Sequence, residues 1–418
     1  MKREVGHFWH QVASVLTGST IAQLIPILGS LILARLFAPQ EFGLYAAWQG
    51  VALFFAVAIT GRFETALAMV AEGDARRVAA AATLLTTVFG VILLAIAVGG
   101  AFFLSPAWLE KTPVLFGIMV VPAAFAIAGS QIWQSWAAAE GEYKKLSIMR
   151  IVFAFSITVM QIVAGLEWAS SSALVVAHVV GASIGFLVAL KVMPLGRLPQ
   201  DINRRLLEFW SRYRRLPIMS LPADVINTAA AQLPLIIVAS RFGSEISGYL
   251  ALSLRTLGAP ISLLGRAVLD VFRRHAASDW RARGECRDTY SKTFMVLSTA
   301  SVLVMSGLMW WGEDLFSLCF GENWRPAGTI AVWLLPMFML RFVASPLSYM
   351  FYLAEKQHID LMWQISLFAM TIGTLTAFNS YSLSLQSYGA GYSMLYVIYL
   401  ILSYRLSRGE KNDRNYRL

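Results

Sequence analysis

Eight side chains able to bind ions or form hydrogen bonds stand inside long apolar stretches of this 418-residue sequence. Arg62, Arg255 and Arg341 are cationic, Glu64 and Asp224 are acidic, and Gln23, Asn227 and Gln232 are amides. A guanidinium can hold a planar anion through a bidentate fork. A carboxylate in the same surroundings can pair with it, or take up a proton or cation. Each charge costs ~2.5–3.5 kcal/mol on insertion scales when placed deep in a membrane span, so a charge kept there points to use. Signatures of covalent or nucleotide chemistry are absent: there is no G-x-x-x-x-G-K-[ST], no H-E-x-x-H and no G-x-S-x-G. His7, His10, His178, His275 and His358 are too dispersed to predict a metal cluster. No cofactor is expected.

Composition explains why these residues stand out. The chain is 57% hydrophobic and 14% charged, far from the roughly 25% charged of a soluble domain. Apolar runs recur along its whole length, which reads as a polytopic helical membrane protein. Twelve spans are predicted, at about 13–37, 43–70, 78–104, 113–138, 146–166, 171–192, 216–240, 247–271, 290–312, 326–353, 359–378 and 386–404. The breaks carry turn chemistry or charge: Ala38-Pro39-Gln40-Glu41, Glu72-Gly73-Asp74, Ser105-Pro106, Glu140-Gly141-Glu142 and Gly321-Glu322-Asn323. The basic N-terminus lacks a compact apolar segment with a cleavage site, so the first helix is expected to remain as an anchor.

Twenty-seven of the 34 lysines and arginines fall on one side of this topology. Arg35, Lys111, Arg241 and Arg325 fall on the other, and Arg62, Arg255 and Arg341 lie within spans. The bias places both termini in the cytoplasm. The net charge of +10 is thus topological and suited to anionic lipid surfaces, with no call for nucleic acid. Cys286 and Cys319 fall on opposite sides, which excludes a disulfide between them.

Residues 193–215 are read as a basic cytoplasmic linker between a six-helix lobe, 1–192, and a second, 216–404, followed by a tail, 405–418. No extramembrane domain is expected. Four matches in the same order support an internal repeat: Ala22-Gln23-Leu24-Ile25-Pro26 with Ala231-Gln232-Leu233-Pro234, Arg35 and Glu41 with Arg241 and Glu245, Gly43 with Gly248, and Gly61-Arg62 with Gly265-Arg266. With six helices per half the repeats run parallel, a transporter architecture with its site at the repeat interface. The seventh span supports this, combining Pro217, Pro222 and Pro234 with Asp224, Asn227 and Gln232.

Depth orders the charges. Arg62 lies 19 residues after Gly43, about 28 Å along a helix and near the far edge of a ~30 Å core. Arg62 and Glu64 are therefore expected at the cytoplasmic interface. On a continuous helix they stand about 200° apart and need separate partners. Arg255 is roughly 10 Å in from Gly248, and Arg341, between Pro336 and Pro346, is near mid-membrane. Asp224 would pair with one of these two if its role is structural. His178 reads as a packing or interfacial residue. Most tryptophans fall near predicted span ends.

The stretch 17–70 carries a resemblance. Thr17-Gly18-Ser19, Ala22-Gln23-Leu24-Ile25-Pro26-Ile27-Leu28, then Leu33-Ala34-Arg35-Leu36-Phe37-Ala38-Pro39-Gln40-Glu41-Phe42-Gly43 and Arg62-Phe63-Glu64-Thr65-Ala66 resemble the Wzx-type polysaccharide-biosynthesis flippases of the multidrug/oligosaccharidyl-lipid/polysaccharide (MOP) exporter superfamily. The segment 258–294, with Gly258-Ala259-Pro260 and Phe272-Arg273-Arg274, looks like the second-half counterpart. These motifs cover about a fifth of the chain; from Lys292 onward the match is in layout only.

The resemblance implies an all-α protein of two pseudo-symmetric six-helix lobes around a central cavity. It implies a transporter in the bacterial inner membrane rather than an enzyme. The implied substrate is an undecaprenyl-diphosphate-linked repeat unit for O-antigen, capsule or exopolysaccharide, flipped by alternating access. Arg341, Arg255 and Arg62 would meet the diphosphate, with Gln23, Asn227 and Gln232 along the pathway. Glu64 or Asp224 would couple transport to an H+ or Na+ gradient. A polysaccharide polymerase and a chain-length regulator are the implied partners. The alternatives are a multidrug or cation exporter of the same superfamily and a membrane polymerase or acyltransferase.

Overall fold

The computed structural model describes residues 2–104 and 114–409. Trp108, Lys111, the tail 410–418 and the side chains of residues 1–17, Arg266 and Asp270 lie outside the described residues. The described chain is helical throughout, with turns and no strand. In order the helices are α1 Lys2–Leu36, α2 Pro39–Ile59, α3 Asp74–Leu104, α4 Val114–Ala139, α5 Tyr143–Glu167, α6 Ser171–Val192, α7 Ile202–Tyr213, α8 Leu221–Phe242, α9 Ser244–Arg283, α10 Arg287–Phe320, α11 Arg325–Leu347, α12 Tyr349–Leu353, α13 Gln357–Ala377 and α14 Tyr381–Ser407.

Each of the twelve expected spans falls on a helix, although the second, expected over 43–70, ends at Ile59, and ten helical stretches among the described residues are long and apolar enough to cross a bilayer. The other two are α9 and α14. Arg255, Arg266 and Asp270 interrupt the apolar run of α9, and α14 is rich in Ser, Tyr and Gly. Length still suits both: 40 and 27 residues rise about 60 and 40 Å, against a core of ~30 Å.

Contacts divide the chain into two compact units, Met1–Ala239 and Ser240–Leu418. The contact boundary thus falls inside α8, and residues 216–239 cluster with the first unit. In the first unit α1 lies along α5, with Gly18 against Ser147 and Gly29 against Thr158, and α6 presses Gly181 onto the backbone of Ile157. Small residues at such crossings let helix axes approach where no hydrophobic force drives association within lipid. The linker region contains α7, whose Leu206 and Phe209 are buried in a cluster with Phe63, Leu67, Trp133, Trp136 and Met149. The Trp210 indole N–H donates to Thr86 Oγ1 at 3.0 Å.

In the second unit Gly328 of α11 meets Gly312 and Glu313 of α10, and Gly389 of α14 lies against Trp333 O. The far end of α9 runs past the length a span requires. There Phe272 and Ala276 pack with Cys286, Tyr290, Leu347 and Met350, and Cys286 N–H donates to Ser407 O at 2.9 Å. The sequence reading expected no such cluster, because hydropathy reports spans and not what their extensions build. Cys286 and Cys319 are both free thiols.

A Cβ at Gly181 would lie 2.5 Å from Ile157 Cα, and overpacking of this kind costs about 1–3 kcal/mol. Gly99 has nothing within 4 Å of the same position. Gly181→Ala is therefore expected to lower the melting temperature of the detergent-solubilised protein, and Gly99→Ala to leave it unchanged or raise it, by differential scanning fluorimetry.

Candidate ion-pair site and mid-span arginine

The first cluster of candidate residues depends on where α2 stops. Pro39 at its first turn has no N–H to leave unpaired, and its fixed φ suits a helix start. From Pro39 to Ile59 the helix runs 21 residues, about 30 Å. The next residues do not continue it. Gly61 and Arg62 both take left-handed backbone, at φ +59° and +60°, and a 3-10 turn follows over Phe63–Ala68. An arginine in this region costs about 1–2 kcal/mol. Local bonds hold it there: Arg62 N–H donates to Thr60 Oγ1 at 3.2 Å, and Thr65 Oγ1 donates to Arg62 O at 2.7 Å.

This break overturns the expectation that Arg62 and Glu64 need separate partners. The 200° separation holds only on a continuous helix, and here the chain folds back between them. Arg62 Nη1 donates to Glu64 Oε1 at 2.9 Å. Arg62 Nε lies 2.7 Å from Asp224 Oδ2 on α8. Its N–H is not aimed along that line, so the second contact is an ion pair more than a directed hydrogen bond. Asp224 is thus paired with Arg62 within the first unit. Glu64 is only 7% exposed and its Oε2 has no hydrogen-bond partner. The proposed repeat also diverges at this point, because α9 runs unbroken through Gly265-Arg266.

A second contact ties α8 to α2 in the same unit. Gln232 packs on Gly50, where a Cβ would meet its Cβ at 3.1 Å and its Oε1 at 3.2 Å. Asn227 is exposed on α8, and Gln23 of α1 is half-buried with Oε1 lacking a hydrogen-bond partner. Six of the eight candidate residues therefore belong to the first unit.

Arg76 was read from sequence only as part of the topological charge bias. It is 5% exposed. Its Nε donates to Leu67 O and its Nη2 to Val70 O, each at 3.1 Å, while Nη1 lies 3.1 Å from Glu140 Oε2. It straps the segment after the 3-10 turn to the end of α4. Nothing in the local sequence separates it from its neighbour Arg77, which pairs with Asp74 in the open. His178 is buried beside Tyr45 and Trp48, with Nδ1 2.9 Å from the Tyr45 hydroxyl.

The remaining two candidates belong to the second unit. Arg255 is half-buried on α9. Arg341 is exposed on α11, within the continuous apolar stretch Glu322–Leu353. It is 19 residues from one end of that stretch and 12 from the other. Its guanidinium carbon is 5.9 Å from the Phe338 ring centroid. It acts electrostatically on Tyr388, Tyr392 and Tyr396 of α14. Those three rings form a ladder, with centroids 5.0 and 5.7 Å apart. Among the described residues, no carboxylate lies within ion-pair distance of Arg341.

The polysaccharide biosynthesis protein family matches residues 32–329, from the end of α1 into α11. The chain belongs to that family. No curated protein matches it in sequence. Its fold is shared with the lipid II flippase MurJ in an inward closed conformation, at a TM-score of 0.72 and 11% identity over 94% of this chain and 87% of that one. An inward-facing MATE multidrug-resistance transporter of the MOP superfamily matches at 0.57, with 12% identity over 94% of each chain. A MOP-superfamily transporter from Pyrococcus furiosus matches at 0.53, with 11% identity over 95% of each. The polysaccharide biosynthesis chain thus has the all-α fold of these flippases and transporters.

Removing one partner of a buried ion pair costs about 3–5 kcal/mol, whereas an exposed pair contributes about 0–1. Glu140 is partly exposed, which places Arg76 at the low end of the first range. Arg76→Ala is expected to destabilise the purified protein by about 3 kcal/mol and Arg77→Ala by less than about 1, read from denaturant or thermal unfolding.

Proposed function

We propose that this protein moves an undecaprenyl-diphosphate-linked oligosaccharide repeat unit from the cytoplasmic to the periplasmic leaflet of a bacterial inner membrane, for surface polysaccharide synthesis. Membership of the polysaccharide biosynthesis family and a fold shared with a lipid flippase support this class of substrate. The observation that carries the reading is Arg341, a cation deep in an apolar stretch with an exposed side chain and no carboxylate within ion-pair distance among the described residues. A charge held there at a cost of ~2.5–3.5 kcal/mol calls for an anion, which none of the described carboxylates supplies. A diphosphate fits, because guanidinium binds two phosphate oxygens at once and is more weakly hydrated than ammonium.

Arg341 is the primary diphosphate contact and Arg255 a second. Arg62 has a different part. Glu64 and Asp224 already occupy it, so an incoming phosphate must displace a carboxylate from it. That exchange ties head-group capture to the contact between the end of α2 and α8. The released Glu64 or Asp224 is then free to take up H+ or Na+, which couples the cycle to an ion gradient. Gln23, Asn227 and Gln232 offer neutral hydrogen bonds to sugar hydroxyls. Sugars and diphosphate cross while the polyprenyl tail stays in lipid, as the site opens alternately to the two leaflets. With both termini cytoplasmic, the unit is delivered to the side where a polymerase and chain-length regulator would act. A cation exporter is favoured less, since Glu64 and Asp224 are both committed to Arg62.

In a deletion strain that accumulates lipid-linked repeat units, the wild-type gene should restore surface polysaccharide. Arg341→Ala should fail to do so at normal membrane abundance, and Arg341→Lys should restore it in part. Full restoration by Arg341→Ala would rule out the diphosphate contact. Units that reach the periplasm unpolymerised in the deletion strain would rule out the flippase.

A further inference from the structure

The helix α7 and its junction with α8 carry five arginines, and their environments differ. Arg204 donates to Glu208, and Arg205 to Asp201, each at 2.8 Å. Arg212, Arg214 and Arg215 are exposed, and among the described residues no carboxylate lies within ion-pair distance of any of them. The next residue, Leu216, opens the apolar stretch Leu216–Phe242. Its first turn, Leu216–Ser220, is a π-turn in which Leu221 N–H donates to Leu216 O. Within that turn Ile218 and Met219 are 67% and 69% exposed.

The spacing sets both heights and direction. At 1.5 Å per residue, Arg214 and Arg215 stand about 2–3 Å from the first residue of the span, at headgroup level. Ile218 lies four residues after Arg214 and Met219 four after Arg215, each about one turn deeper on the same side of the helix as its arginine. Leu206, Phe209 and the Trp210–Thr86 hydrogen bond fix α7 on the first unit, so the arginines are held in place before any ligand arrives. A soluble acidic partner would satisfy the arginines but leave the two aliphatic side chains uncovered. A lipid with an anionic headgroup satisfies both sets.

We infer that the α7–α8 junction binds one anionic phospholipid of the surrounding leaflet, its phosphate on Arg214 and Arg215 and its acyl chains on Ile218 and Met219. The inference is independent of the substrate proposed above, since it uses none of the same residues. It assigns the basic segment a defined lipid site rather than a diffuse attraction to the membrane surface.

The test uses the full-length protein in neutral detergent, titrated with dioleoyl phosphatidylglycerol or dioleoyl phosphatidylcholine and read by native mass spectrometry. Wild type should retain phosphatidylglycerol in preference to phosphatidylcholine. The double variant R214Q/R215Q should lose that preference by at least about tenfold, given ~1 kcal/mol per surface arginine. Removing the same charge from the other unit, in R273Q/R274Q, should not. Circular dichroism and melting would show that each variant is folded. An unchanged preference in the first variant would overturn the inference, as would an equal loss in the second. Displacement of phosphatidylglycerol by equimolar undecaprenyl diphosphate would reassign the site to the carried lipid and overturn it as well.

Discussion

Two successive left-handed residues, Gly61 and Arg62, set the arrangement of the charged cluster of Arg62, Glu64 and Asp224. Without that reversal α2 would run on past the membrane edge, with Arg62 and Glu64 pointing to different sides. With it, one guanidinium reaches Glu64 in its own segment and Asp224 on α8. The cost of the strained arginine, about 1–2 kcal/mol, is offset locally by the Thr60 and Thr65 hydroxyls. Downstream, Arg76 pins the same segment to α4. Strain maintained at a charged cluster by surrounding bonds is a common mark of a working site.

The two units use arginine in contrasting ways. Arg62 is held by two acids, so the cluster is self-contained and has a negative charge to spare. Arg341 has an aromatic face at Phe338 and three phenols nearby, and no acid within ion-pair distance among the described residues. Aromatic groups stabilise a cation weakly and leave its N–H donors free. One arginine is therefore equipped to release a partner, and the other to receive one.

Much of this was legible from sequence, and the failures have physical causes. Span positions follow from apolar runs of bilayer length, so even the polar α9 and α14 were found, through their flanking turns and charges. The stop in α2 was not. A lone glycine in an apolar helix is a weak signal, and no proline marks Gly61-Arg62-Phe63. The inference that Arg62 and Glu64 stand on opposite sides of a continuous helix failed with it. Arg76 was hidden for another reason: a buried strap and a surface charge share the same residue type, and only burial tells Arg76 from Arg77. The helix α7 lay within a segment whose arginines read as loop charge, although Leu206, Phe209 and Trp210 have the spacing of a buried face.

The most direct measurement is transbilayer movement in vesicles that contain only the purified protein. A fluorescent undecaprenyl-diphosphate-linked oligosaccharide would be placed in both leaflets, and the outer leaflet bleached with a membrane-impermeant reductant. With the wild-type protein nearly all of the fluorescence should be lost, because inner-leaflet substrate reaches the outer face, while empty vesicles should keep about half. Protection of half the fluorescence in vesicles shown to contain folded wild-type protein, with the ion gradient imposed in either direction, would contradict the assignment.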